Sequence, residues 1–142
     1  LNKINLFLRT KSYSYLWIKG VTTKPSKRYF FKSFDLYKQN SQFAFFNSKL
    51  EEIKILQKSN DLNIKFIILP YEYQTKNECK SELLLPQNKI LNALKEKNLE
   101  YINLTKIFCS QSKSNKLFLN FDPVHLSTKG HELVFRSIKE QF

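Results

Sequence analysis

Asp122-Pro123-Val124-His125-Leu126-Ser127 is the stretch whose residue types and spacing can do chemistry. An aspartate three residues before a histidine can fold back through a turn. Its carboxylate then accepts a hydrogen bond from imidazole Nδ1–H, fixes the tautomer and leaves Nε2 free as a general base toward a serine hydroxyl. Pro123 restricts the turn, and Ser127 is a natural N-cap for a helix that follows. The same D-P-x-H string is also an ordinary turn sequence, and a histidine ahead of a helix is often only a capping or surface residue. His131 reads as structural, because the N-terminus of a helix disfavours a protonated imidazole. Glu72 offers a second acid, but it reads better as a solvated loop carboxylate.

The elements that must position these residues follow from hydrophobic period. Residues 3–19 form a loosely periodic helix (Leu6, Leu8, Tyr13, Leu16, Trp17) stopped at Gly20, a residue suited to the position after a helix. Trp17, Tyr13 and Tyr15 read as core packing or as contact with a segment upstream of the chain. Residues 21–38, with Pro25 and many charges, read as a connecting loop. Residues 40–59 repeat apolar side chains at steps of three and four (Phe43, Phe46, Leu50, Ile53, Leu56), one stripe of a helix. Lys65-Phe66-Ile67-Ile68-Leu69-Pro70 is a short apolar run of the kind found in strands buried on both faces. Residues 71–85 read as irregular, Pro86 opens a helix, 99–104 is a second strand, and 128–140 is a final helix burying Leu133, Val134, Phe135 and Ile138. Strands alternating with helices predict an α/β fold with a parallel sheet. Two such strands do not make a stable sheet by themselves, so the strand at 65–69 is expected to have further neighbours.

Composition sets limits. A chain of 142 residues, 42% hydrophobic and 15% aromatic, is one globular domain. With two glycines, Gly20 and Gly130, it has no G-x-G-x-x-G or Walker A loop. It contains no Met, so Leu1 is expected to begin a piece of a longer protein. No apolar run reaches the ~18–20 residues of a transmembrane helix. The net charge of +12 comes from 21 Lys and 3 Arg spread along the chain, which reads as a solvated lysine surface rather than an arginine-led nucleic-acid face. The densest basic stretch is Lys24 to Lys32, interleaved with Tyr29, Phe30 and Phe31. Cys79 and Cys109 have no metal-ligand spacing; a disulfide between them stays open.

The strand at 99–104, a short helical element at 105–108, a polar loop, Leu117-Phe118-Leu119, then D-x-x-H-L-S-x-x-G-H and an amphipathic final helix resemble the C-terminal end of SGNH/GDSL hydrolases. The strand ending at Pro70 and the Tyr71-Glu72-Tyr73-Gln74 that follows also look like that family's penultimate strand and substrate-side loop. The resemblance covers most of residues 40–142 and, more loosely, the rest. It implies part of a flavodoxin-like three-layer α/β/α domain over residues 1–142, its parallel sheet incomplete in this chain. It also implies a serine esterase or acetylesterase in which His125 is the general base and Asp122 the acid that orients it. The family's G-D-S nucleophile block and its glycine and G-x-N-D oxyanion elements do not occur here, so this portion is expected to be inactive alone. The expected substrate is a small-molecule or carbohydrate ester, and the expected partner is the N-terminal remainder of the domain. No metal or organic cofactor is implied, and no specific nucleic acid is expected. A degenerate paralogue without activity fits the same residues. Acyl transfer to a sugar hydroxyl, as in the family's O-acyltransferase branch, would use the same pair. A non-catalytic basic module binding nucleic acid or anionic lipid is the reading from a different class.

Overall fold

The structure, a computed structural model, describes residues 7, 8, 10–111, 116–120 and 122–140. The fold is mixed α/β and mostly helical. In chain order the elements are α1 (Tyr13–Thr23), α2 (Pro25–Lys38), α3 (Asn40–Ser59), β1 (Lys65–Ile68), α4 (Glu72–Lys76), α5 (Leu85–Glu96), β2 (Glu100–Asn103), α6 (Thr105–Gln111) and α7 (Thr128–Lys139). A short 3-10 turn at Ser81–Leu83 precedes α5.

β1 and β2 pair in parallel, with Phe66 opposite Tyr101 and Ile67 opposite Ile102. The alternation of strand side chains divides the core in two. On one face Leu50 of α3 and Ala93 and Leu94 of α5 gather around Ile68, with Phe66 and Tyr101 against them. On the other, Ile102 joins Leu104, Phe108, Leu117, Phe118 and Leu133 from α6, the following loop and α7. Ile67, on the second face, stays 42% exposed. The strand expected to be covered on both faces is therefore open on one face at Ile67, and its outer edge pairs with no strand among the described residues.

Several sequence expectations need correction. Residues 21–38 are not a loop: Pro25 occupies the first turn of α2, where its missing N–H is no loss. Phe30 and Phe34, one helical step of four apart, are buried, and Phe30 meets the Tyr71 and Tyr73 rings at 5.7 and 5.1 Å. Proline and charge were the misleading signals there. The first helix does not stop at Gly20 but continues to Thr23, and Lys24 takes the left-handed conformation (φ 41°) that separates α1 from α2. Of the 3–12 part of that expected helix, residues 3–6 and 9 lie outside the described residues, and 7, 8, 10 and 11 are helical. Trp17 and Tyr13 are 61% and 91% exposed and are not core. Residues 71–85 contain α4 and the 3-10 turn rather than irregular chain. Phe135 is 67% exposed, because the buried face of α7 runs through Gly130, Leu133 and Ser137, a quarter-turn or more away.

Candidate functional site

The site is a loop folded back on itself between Leu117 and Ser127. Phe118 and Leu126 form an antiparallel bridge. Ser127 N–H donates to the Leu117 carbonyl at 2.9 Å, Leu119 N–H to the His125 carbonyl at 3.0 Å, and Asp122 N–H to the Leu119 carbonyl at 3.2 Å. Phe118 holds the base of this hairpin in the core, edge-on to Phe108 at 6.1 Å. Ser127 then starts α7. Its Oγ accepts from Gly130 N–H at 3.2 Å and donates to the Lys116 carbonyl, so the cap also staples the incoming strand of the hairpin. Gly130 has a steric reason to be glycine: a Cβ there would sit 2.2 Å from the Leu117 carbonyl oxygen.

At the tip, one carboxylate organises the turn. Asp122 Oδ1 accepts backbone N–H groups from Val124 at 3.0 Å and His125 at 2.9 Å. Its Oδ2 lies 2.7 Å from His125 Nδ1. Partial burial pushes the Asp122 carboxyl up. The hydrogen bonds from the His125 and Val124 backbone and from the His125 ring outweigh it, and the carboxyl sits below its ordinary value. A carboxylate that stays ionised is what keeps Nδ1 protonated and Nε2 available. The His125 side chain is 73% exposed against 31% for Asp122, so the imidazole faces outward and the carboxylate sits behind it.

The loop is anchored from the other strand's end. Glu72 N–H donates to the Pro123 carbonyl at 3.3 Å. Glu72 is not the solvated loop carboxylate expected: it is 8% exposed and pairs with Lys76 at 2.6 Å, because 72–76 is helical and brings positions four apart together. Behind it, Gln74 and Gln87 form a reciprocal amide pair, with Gln74 Nε2 donating to Gln87 Oε1 at 2.6 Å and Gln87 Nε2 to Gln74 Oε1 at 2.9 Å. The pair also takes the Tyr71 N–H at 2.7 Å and donates to the Leu83 and Leu69 carbonyls at 2.6 and 3.1 Å. Two glutamines thirteen residues apart carry no sequence signal; only the fold reveals them. Cys79 and Cys109 are joined in a disulfide, their Cα atoms 5.9 Å apart, which ties the segment after α4 to α6 and removes both thiols as nucleophiles.

Asp122 and His125, the two expected site residues, are thus brought together. His131 is exposed in the first turn of α7 and makes no hydrogen bond or ion pair with them. Among the described residues no serine, threonine or cysteine side chain bonds to His125, and the nearest serine in sequence, Ser127, has its hydroxyl committed to the helix cap. Nor do the described residues hold a cluster of three or more metal-ligating side chains. The arrangement can accept and return a proton, and can orient the base that does so.

No family model matches the chain, and neither a curated protein nor a solved structure matches it.

Proposed function

We propose that this chain is the acid–base portion of a serine esterase of the SGNH/GDSL type, acting on small-molecule or carbohydrate esters. His125 deprotonates a serine supplied from outside the described residues and later protonates the leaving alcohol. Asp122 holds the ring and stabilises its imidazolium. The observation that supports this best is the 2.7 Å Oδ2–Nδ1 contact with the rest of the imidazole open to solvent. The bonds from Val124 and His125 N–H to Oδ1 are those of an ordinary Asx turn; the contact of Oδ2 with the ring goes beyond them. The unpaired outer edge of β1, and helices packed on both faces of the strand pair, α3 and α5 on one and α6 and α7 on the other, support a sheet extended by further parallel strands, as in a flavodoxin-like three-layer domain.

Two measurements test the reading. In the 142-residue chain, the Nδ1 proton of His125 gives a far-downfield ¹H resonance that Asp122→Asn removes. A missing resonance in the unmodified chain sinks the pair. With the serine-bearing segment present, His125→Ala lowers turnover of a short-chain nitrophenyl ester by about 10³-fold or more. Turnover that survives the substitution refutes the role.

A further inference from the structure

α1 is an oddity in a small fold: an eleven-residue helix with no buried residue. Tyr13, Leu16, Trp17 and Val21, at i, i+3, i+4 and i+8, fall on one side of it. They are 91, 44, 61 and 54% exposed, and Ile18 beside them is 53% exposed. An apolar stripe of this extent left in water marks an interaction surface.

Charge says what kind. The lysines are spread along the chain, but the acids are not. Residues 1–34 hold eight basic side chains and no Asp or Glu, and so carry +8 of the net +12. α2, joined to α1 at Lys24, opens with Lys27 and Arg28 and has no acidic residue in its first turn and no side-chain cap. Behind this elbow lies an open cavity of about 570 Å³ walled by Lys24, Lys27, Ser26 and Asn120 and by the Glu72–Lys76 ion pair, among others. The buried Ser26 Oγ has no hydrogen-bond partner. Lys24 and Lys27, unpaired by any acid in this segment, and the uncapped helix N–H groups suit an acidic oxygen-rich group.

We infer that the α1–α2 elbow docks on an anionic membrane surface, with the Tyr13–Leu16–Trp17–Val21 stripe lying at the headgroup boundary and Lys24 and Lys27 on the acidic headgroups. Trp and Tyr are the side chains that favour this boundary, and lysine contributes through charge alone. A nucleic-acid partner fits less well, since it offers phosphates but nothing to cover Leu16, Ile18 and Val21. Association is peripheral: among the described residues no helix is long and apolar enough to cross a membrane. The inference does not depend on the Asp122–His125 pair.

Trp17 is the chain's single tryptophan, so its fluorescence reports on this face alone. On titration of the 142-residue chain with phosphatidylcholine vesicles containing about a third phosphatidylserine, its emission shifts to the blue and becomes shielded from acrylamide. The partition coefficient falls about tenfold in Leu16→Glu and again in Val21→Glu, and about fivefold for each of Lys24→Gln and Lys27→Gln. Lys54→Gln, on α3, has no comparable effect. Circular dichroism of each variant confirms that the fold is kept. Equal binding to pure phosphatidylcholine overturns the electrostatic part. Failure to bind either vesicle overturns the whole inference. In that case sedimentation showing a dimer broken by Leu16→Glu assigns the stripe to a second copy, and salt-sensitive binding to duplex DNA assigns the elbow to nucleic acid.

Discussion

The loop from Leu117 to Gly130 and the helix α1 lie near opposite ends of the chain and are built in opposite ways. In the loop, side-chain oxygens and backbone groups answer one another over a few residues: Asp122 takes three hydrogen bonds from two residues, Ser127 joins Lys116 to Gly130, and Phe118 is buried beneath. In α1 the backbone is helical and capped by Ser12, whose side chain accepts from Tyr15 N–H at 3.2 Å, yet its large apolar side chains face water. Local signals form both regions. Tertiary contact fixes only one of them.

The contrast is broken most severely through an aromatic ring in each region. Phe118→Ala removes a 7% exposed ring that supports the hairpin and is expected to cost about 3–5 kcal/mol of stability. Trp17→Ala removes a larger ring from the surface and is expected to cost under ~0.5 kcal/mol. Urea unfolding of the two variants decides. A Trp17→Ala loss approaching that of Phe118→Ala would mean that α1 is packed in solution and that its exposure is not a property of the folded chain.

The same contrast shows how much of the molecule the sequence makes legible. The D-x-x-H turn, the Ser127 cap and the helix at 40–59 are local: each depends on spacing within a few residues, and each is found where spacing puts it. β1 is legible because its continuous apolar run is short and ended by Pro70, and β2 because Tyr101, Ile102 and Leu104 follow a helix stop in a segment too short for another helix. What fails is what depends on a partner distant in sequence. α2 is hidden because its buried face is only Phe30 and Phe34, and the rings that cover Phe30, Tyr71 and Tyr73, lie some forty residues on. Glu72 looks solvated because the burial around it comes from other elements. Trp17 looks buried because tryptophan usually is. The Gln74–Gln87 pair, which braces the segment after β1, is composed of residues with no pattern of their own.

Gly130→Ala tests the loop at smaller cost. The added methyl meets the Leu117 carbonyl at 2.2 Å, a backbone atom that cannot swing away, so about 1–3 kcal/mol of stability is lost. Because Leu117 and Ser127 share a hydrogen bond, the shift should reach the hairpin. The downfield His125 resonance moves or broadens in this variant if the two are mechanically joined. An unchanged resonance with reduced stability would separate the cap from the site.

Acid titration probes Asp122 with a smaller effect. Its carboxyl lies below the ordinary value in the folded chain. Its stabilisation is therefore fully present above the ordinary aspartate range and is lost as pH falls through the lowered folded value. The difference in Tm between the chain and Asp122→Asn should hold above about pH 5 and shrink as pH falls from there toward about 2. A difference that is flat across that window would mean the carboxylate's hydrogen bonds contribute nothing to holding the loop.

The smallest effect belongs to the other glycine. Gly20 sits inside α1 with ordinary negative φ, where glycine costs a helix roughly 0.5–1 kcal/mol relative to alanine. Gly20→Ala should therefore slow hydrogen exchange of the α1 amides by up to about fivefold. Global Tm should hardly move, since α1 contributes no buried side chain to the core. The two glycine substitutions thus act with opposite sign, one against a carbonyl in a closed loop and one on a helix open to water. If Gly20→Ala destabilised the chain instead, a neighbour must approach α1 as closely as Leu117 approaches Gly130. The exposed stripe would then belong to an interior contact rather than to a surface available for docking.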